Sequence, residues 1–195
     1  MKNANIKRMV GIALLMAMVV VLQFVSGMIP PIFGIVSISL ALIPVVFGAA
    51  VFGPGAGCIL GATLGVVVRI TSITGSDPGG HTVFQASPIL CLLVIMAKGA
   101  LAGLASGWVY KLLKGRNGYV AMLLAAIVCP VVNTGVFLAS MALFFKDVLN
   151  AWAGGGDVVA YVLSALVLCN FVPELVINVA FSPAGQRILH TVEKN

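Results

Sequence analysis

Two ionisable side chains lie deep inside apolar stretches of this sequence, where a charge is costly and usually faces a cavity or a partner. Lys98 comes ten residues into the run that begins at Pro88, and Glu174 lies within the last apolar run. Three kinds of chemistry are open to them: a buried ion pair, a proton relay, or contacts with a small polar ligand. We favour the ligand, because further polar residues accompany both side chains.

The first of these polar residues surround Glu174. Asn170, Glu174 and Asn178 are spaced four apart, so they share one face of a helix. Pro173 lacks an N–H and leaves a backbone carbonyl free one turn earlier, which also favours a polar-lined interior. This run therefore carries a polar face at membrane depth.

A second polar pair, Asn133 and Thr134, lies in the preceding apolar run. The fourth, fifth and sixth runs thus all contribute polar groups, whereas the centres of the first three have almost none. This asymmetry predicts a ligand cavity in the C-terminal half of the chain. Arg69, Gln85 and Trp152, near the ends of apolar runs or in connections, could supply polar or stacking contacts at its rim.

Motifs for catalysis, nucleotide binding and metal binding are missing from the sequence. There is no GxxxxGK[ST], no HExxH, no GxSxG and no pair of intramembrane aspartates. The four cysteines form no CxxC pair and lie in apolar runs, as small buried side chains do, and His81 has no second histidine nearby. We therefore expect neither an enzyme nor a cofactor. Uphill transport would then draw on an ion gradient or on other subunits.

The composition shows which elements must position these residues. Hydrophobic residues make up 61% of the chain and charged residues 8%, with a mean hydropathy of +1.17. A soluble domain carries roughly 25% charged residues, and a spanning helix needs ~20 apolar residues. We predict one all-α integral membrane domain over residues 1–195. Its six predicted spans are approximately 8–26, 36–53, 55–70, 88–110, 118–145 and 158–181.

The connections between the predicted spans differ in length and character. The third span is short, and a Gly53-Pro54-Gly55 turn separates it from the second, since glycine and proline punctuate helices. Residues 71–87 form the longest predicted loop. The connection over 26–34 is uncharged and apolar, with prolines and glycines, and could fold back over a cavity.

The lysines and arginines predict the orientation in the membrane. With the N-terminus inside, eight of these residues fall in cytoplasmic segments and two, Arg69 and Lys146, fall outside. The cytoplasmic eight are Lys2, Lys7, Arg8, Lys111, Lys114, Arg116, Arg187 and Lys194. Both termini are therefore expected in the cytoplasm. The net charge of +6 does not indicate a nucleic-acid partner, because the basic side chains lie at the ends of the predicted helices rather than in one patch.

Small residues spaced four apart mark three of the predicted helices and would allow close helix contacts. Two glycine series, residues 57, 61 and 65 and residues 99, 103 and 107, are expected to pack within the chain. Ala13 and Ala17 in the first span are open to either internal packing or docking with another membrane protein.

The chain resembles a known family over essentially its whole length: the substrate-binding S-components of energy-coupling factor (ECF) vitamin transporters. The size and the six predicted spans fit this family. The matching stretches are 13–17 (ALLMA), 39–44 (SLALIP), 52–57 (FGPGAG), 130–134 (PVVNT), and the pattern of Asn170, Pro173, Glu174, Ser182 and Pro183.

The resemblance implies a function that spacing alone does not. An S-component of a bacterial plasma membrane binds a vitamin from outside, in a pocket built mainly by helices four to six, with the loop after helix one as a lid. Ala13 and Ala17 would dock to a transmembrane coupling subunit that carries two cytoplasmic ATPases. The S-component is thought to topple in the membrane and so deliver its ligand.

The Pro-x-x-Asn-Thr stretch is most similar to the branch that binds pantothenate, folate or cobalamin. Lys98 would offer a cation to a carboxylate, which favours pantothenate first. The main alternative is a self-sufficient proton-coupled carrier with Glu174 as its protonation site, although residues 8–70 and 88–181 show no inverted repeat. An intramembrane enzyme would need a catalytic pair, and a purely structural subunit would not need Lys98 and Glu174 at depth.

Overall fold

A computed structural model describes residues 2–28 and 39–194, and this part of the chain is helical without strands. A π-helical segment, Val162–Phe171, joins the last two helices into one continuous rod. The helices are α1 (Lys2–Met28), α2 (Leu42–Phe52), α3 (Pro54–Thr74), α4 (Pro78–Ala86), α5 (Pro88–Leu113), α6 (Gly118–Phe144), α7 (Lys146–Trp152), α8 (Val158–Tyr161) and α9 (Val172–Lys194).

Five helical stretches are long and apolar enough to cross a membrane: Asn5–Met28, Pro54–Thr74, Pro88–Leu113, Gly118–Phe144 and Val158–Arg187. They correspond to five of the six predicted spans. The other predicted span, 36–53, contains the 11-residue α2, which is shorter than the ~20 residues of a crossing helix. Residues 36–38 lie outside the described part, so a crossing there stays a prediction.

Two details of the predicted organisation were wrong. The third span is not short, because α3 continues to Thr74 and covers 21 residues. The predicted loop 71–87 also contains a helix, α4, which begins directly after Asp77 with Pro78 in its first turn. Proline is well suited to that position, since its fixed φ matches the helix and its missing N–H is not needed. The glycines of this segment favoured a loop, so Pro78 was not recognised as the start of a helix.

The Gly53-Pro54-Gly55 turn is confirmed. Gly53 ends α2 with a positive φ of 92°, which a side chain would disfavour, and Pro54 begins α3. The turn sends α3 back antiparallel to α2. It also directs the glycine face of α3 onto α5.

The glycine series of α3 and α5 face each other and let the two backbones touch. A Cβ added at Gly61 would overlap the carbonyl oxygen of Gly99, and one at Gly57 would overlap that of Gly103. Farther along, a Cβ at Gly65 would lie 3.0 Å from the Ile95 carbonyl oxygen. The prediction that these glycines pack within the chain is confirmed.

Buried side chains form two hydrophobic clusters at different levels of the bundle. One includes Val19, Leu42, Leu60 and Met122, and the other joins α5 and α6 to the short helices α4 and α7 through Val83, Cys91, Met141 and Leu149. Val68 of α3 packs against both clusters. The candidate site opens beside it.

Candidate functional site

A cavity of about 110 Å³ lies among α1, α3, α5, α6 and the last long helix. One water needs ~10–15 Å³ by this measure, so the cavity has room for a small organic molecule. Six of the eight predicted site residues line it: Lys98, Asn133, Thr134, Trp152, Asn170 and Glu174. The helices that carry them bring together residues up to 76 positions apart in the chain.

Lys98 extends into this cavity from α5, and few described protein groups interact with its ammonium. Its Nζ lies 5.1 Å from the centre of the Phe137 ring, a cation–π distance. In the described part of the chain it makes no ion pair with Glu174. Its ammonium group, with three donors, therefore remains available to an anionic ligand.

Glu174 is 2% exposed and has one of its two carboxylate oxygens occupied. The backbone N–H of Ser39 donates to Glu174 Oε1 at 3.0 Å, whereas Oε2 is buried without a hydrogen-bond partner among the residues that the structure describes. One turn farther along, the Asn178 side-chain amide donates to the Glu174 backbone carbonyl at 2.9 Å. The carboxylate is thus fixed in position but only half satisfied.

Other unpaired polar atoms cluster around the same space. Asn133 Oδ1, Thr134 Oγ1 and Asn170 Oδ1 are buried, lack hydrogen-bond partners within residues 2–28 and 39–194, and belong to residues that line the cavity. Buried polar atoms in proteins are almost always hydrogen-bonded, and each exception calls for an explanation. Their concentration around one cavity is explained by a polar ligand that supplies the missing partners.

The π-helical segment delivers Asn170 to this site. It ends at Phe171, just before Val172 and Pro173. Pro173 cannot donate a backbone hydrogen bond, so the turns before it are free to widen. Wide turns of this kind often occur at functional sites. The sequence predicted a polar interior at this proline, but not the change of helix type.

Two predicted rim residues, Arg69 and Gln85, do not belong to the described cavity lining. The Arg69 guanidinium stacks on Phe84, with its carbon 4.2 Å from the ring centre. Gln85 is exposed, and its side-chain amide donates to His81 Nε2 at 2.8 Å. His81 Nδ1 in turn donates to the Ser72 carbonyl at 2.9 Å. These residues brace α4 against the end of α3.

The cavity is also less confined to the C-terminal half than the sequence predicted. Gln23 of α1, Ser39, and Thr71 of α3 line it too. The Ser39 hydroxyl donates to Gln23 Oε1 at 2.9 Å, which ties the start of the α2 region to α1. Gln23 could have been suspected from the sequence, as the one amide in the first apolar run. The lid predicted over 26–34 lies mainly outside the described residues, from position 29 onward.

Asp77 is an ionisable lining residue that was not among the predicted site residues. It lies outside the spanning helices, at the N-terminal end of α4. Burial raises the pKa of its carboxyl above the usual 3.8, against the opposing effects of backbone hydrogen bonds and Lys98. The folded protein therefore binds this proton more tightly than the unfolded chain, and stability falls as the pH rises from 3.8 toward the raised pKa. A carboxylate held in a cleft at that cost is a candidate for ligand contact.

The chemistry available at this site suits the binding of a small molecule. Within residues 2–28 and 39–194, no group of three or more His, Cys, Asp or Glu side chains could hold a metal ion. The lining combines one ammonium, two carboxyl groups, amides, hydroxyls and the rings of Phe137 and Trp152. Such a mixture orients a small polar molecule by hydrogen bonds and apolar contacts.

Comparison with known families gives a single assignment. The family model described as "ECF transporter, substrate-specific component" matches residues 7–183. The comparisons with curated proteins and with solved structures returned no match. The match covers all the helices that line the cavity. The chain therefore belongs to the family of substrate-specific components of ECF transporters, and it is a multi-pass membrane protein.

Proposed function

We propose that this chain is the vitamin-binding S-component of an ECF-type importer in a bacterial plasma membrane, with pantothenate as its first candidate ligand, ahead of folate and cobalamin. The observation that carries this proposal is the set of unpaired polar groups around one cavity. In the described part of the chain, Asn133, Thr134, Asn170 and Glu174 all present buried atoms without partners, beside the ammonium of Lys98, which forms no ion pair there.

The ligand choice follows from charge and size. A carboxylate would make charge-assisted hydrogen bonds with Lys98 in a site that water reaches poorly. Hydroxyl and amide groups of the same molecule could donate to Glu174 and Asn170. Pantothenate has all these groups in a small acyclic chain.

Six crossings with both termini in the cytoplasm are part of this proposal. Arg8, near the start of α1, donates a hydrogen bond from Nη2 to the Phe52 carbonyl at 3.1 Å, so α2 ends beside the beginning of α1. Because α1 is long enough to cross, this contact supports a return crossing between Met28 and Phe52. Arg8, Lys111 and Lys114 share a groove there, as expected for a cytoplasmic face.

The first helix offers the surface for the coupling subunit. Ala13 and Ala17 are exposed, and only 11% of the most apolar part of α1 is buried, against 50% for α3. Among the described residues, nothing covers either alanine closely enough to compete with docking. We propose this face as the contact with the transmembrane coupling subunit, which brings the two cytoplasmic ATPases.

Uptake measurements test the proposed function. In a bacterium unable to import pantothenate, we expect labelled pantothenate to accumulate only when this chain is produced together with an ECF coupling subunit and its two ATPases. ATPase subunits with inactivated Walker motifs should abolish accumulation. Uptake by the chain alone, sensitive to a protonophore, would instead show a proton-coupled carrier that uses Glu174.

The docking face gives a separate prediction within the same assay. Ala13→Trp and Ala17→Trp should abolish uptake, because a bulky ring prevents close helix approach, and should leave vitamin binding to the purified chain unchanged. Ala139→Trp, at another exposed alanine on α6, is the matched control and should transport normally. Loss of binding in the α1 variants would mean that this face supports the fold instead.

A further inference from the structure

Three ionisable side chains line the cavity, and their charges are unequal. Lys98 is the one cation among the described lining residues, whereas Asp77 and Glu174 are both acids. They come from three separate elements: α5, the α3–α4 connection and α9. With all three ionised, the site carries one negative charge before any ligand is present.

Asp77 is held in place at this site by close packing. A Cβ added to Gly80 would overlap both the carboxylate of Asp77 and the hydroxyl of Ser72, so the carboxylate fills the space that the glycine leaves. Asp77 and Glu174 each interact electrostatically with Lys98. Neither forms an ion pair with it in the described part of the chain, so a ligand anion can still approach the ammonium.

This distribution of charges affects the first and the second negative charge of a ligand differently. The first is attracted by Lys98 and offsets the repulsion from the two acids. A second has no further cation in the described lining and lies near two carboxylates, where the low dielectric strengthens repulsion. Placing like charges against the wrong ligand is a common way to obtain specificity.

We propose that Asp77 is a specificity-determining residue, which restricts the cavity to ligands with a single negative charge and excludes more highly charged ligands, such as phosphorylated forms of the same vitamin. This inference rests on the proposed function. Asp77 acts by repulsion rather than by hydrogen bonding to the ligand: it weakens the binding of more highly charged molecules. The transporter would thereby take up the free vitamin and reject its phosphate ester.

Competition binding to the detergent-purified chain tests the proposal. Labelled pantothenate is displaced at pH 8 by unlabelled pantothenate, by 4′-phosphopantothenate, and by a 4′-O-acetyl ester that adds bulk at the same oxygen without charge. In the wild type, we expect the phosphate to bind at least about tenfold more weakly than the acetyl ester. In Asp77→Asn, this ratio should shrink by about tenfold or more, because the phosphate ester gains affinity relative to the acetyl ester.

Asp147→Asn is the matched control, because Asp147 is an exposed acid of α7 outside the cavity lining. It should keep the wild-type ratio. Equal binding of the two esters to the wild type, or an unchanged ratio in Asp77→Asn, would overturn the inference while leaving the proposed function intact. Absence of pantothenate binding to the wild type would overturn the proposed ligand, and the inference with it. Thermal melting of each variant confirms that the compared proteins are folded.

Discussion

Gly61→Ala is expected to destabilise the helix bundle sharply, although it adds only a methyl group. The new Cβ would overlap the Gly99 carbonyl oxygen on α5. Backbone cannot move aside as a flexible side chain can, so α3 and α5 would have to separate. Overpacking of this kind costs on the order of 1–3 kcal/mol, and it would also displace Lys98, one residue before Gly99. Thermal unfolding in detergent measures the effect.

The control for this substitution is Gly135→Ala. Gly135 lies within α6, and a Cβ added there would have nothing within 4 Å. Alanine is the better helix former by up to ~1 kcal/mol, so this variant should melt at the wild-type temperature or slightly above it. Equal melting temperatures for Gly61→Ala and Gly135→Ala would contradict the close backbone contact between α3 and α5.

Lys98→Met is expected to weaken binding of an anionic vitamin by at least about tenfold, since hydrogen bonds to charged groups contribute ~1.5–3 kcal/mol. Methionine keeps an unbranched apolar chain and can contact the Phe137 ring through its sulfur. The cavity should therefore keep its shape. Equilibrium binding of labelled pantothenate to the purified variant measures the loss.

Two comparisons separate the charge from other effects of this substitution. Panthenol, in which an alcohol replaces the carboxylate, should bind the wild type and Lys98→Met with similar affinity. Lys146→Met removes a cation from the exposed start of α7, outside the cavity lining, and should bind pantothenate as the wild type does. Unchanged pantothenate affinity in Lys98→Met would exclude the role proposed for this lysine.

The sequence predicted the class of fold and much of the cavity lining because burial in a membrane penalises polar residues so strongly. Lys98, Glu174 and Asn133 stand out from apolar surroundings, and the helices carrying them are long enough to recognise. Lysines and arginines at the helix ends predicted the orientation in the membrane, because they favour the cytoplasmic side. Six of the eight predicted site residues line one cavity for these reasons.

The misses have a different origin. Arg69 and Gln85 are polar residues in or near a connection, where solvent satisfies many groups, so their types did not reveal that they brace α4. Asp77 looked like one more acid in an outer segment. Its place at the cavity depends on the start of α4 and on the glycine contact between α3 and α5, which are tertiary features. Ser39 reaches Glu174 across 135 positions of sequence.

Equilibrium binding of a panel of radiolabelled B vitamins to the purified wild-type chain tests the proposed function most directly. We predict saturable binding of one vitamin, pantothenate first, at one molecule per chain. Neither ATP nor partner subunits should be required, because the polar groups proposed to bind it all belong to this chain. Saturable binding of none of the vitamins would contradict the assignment of this cavity as a vitamin site.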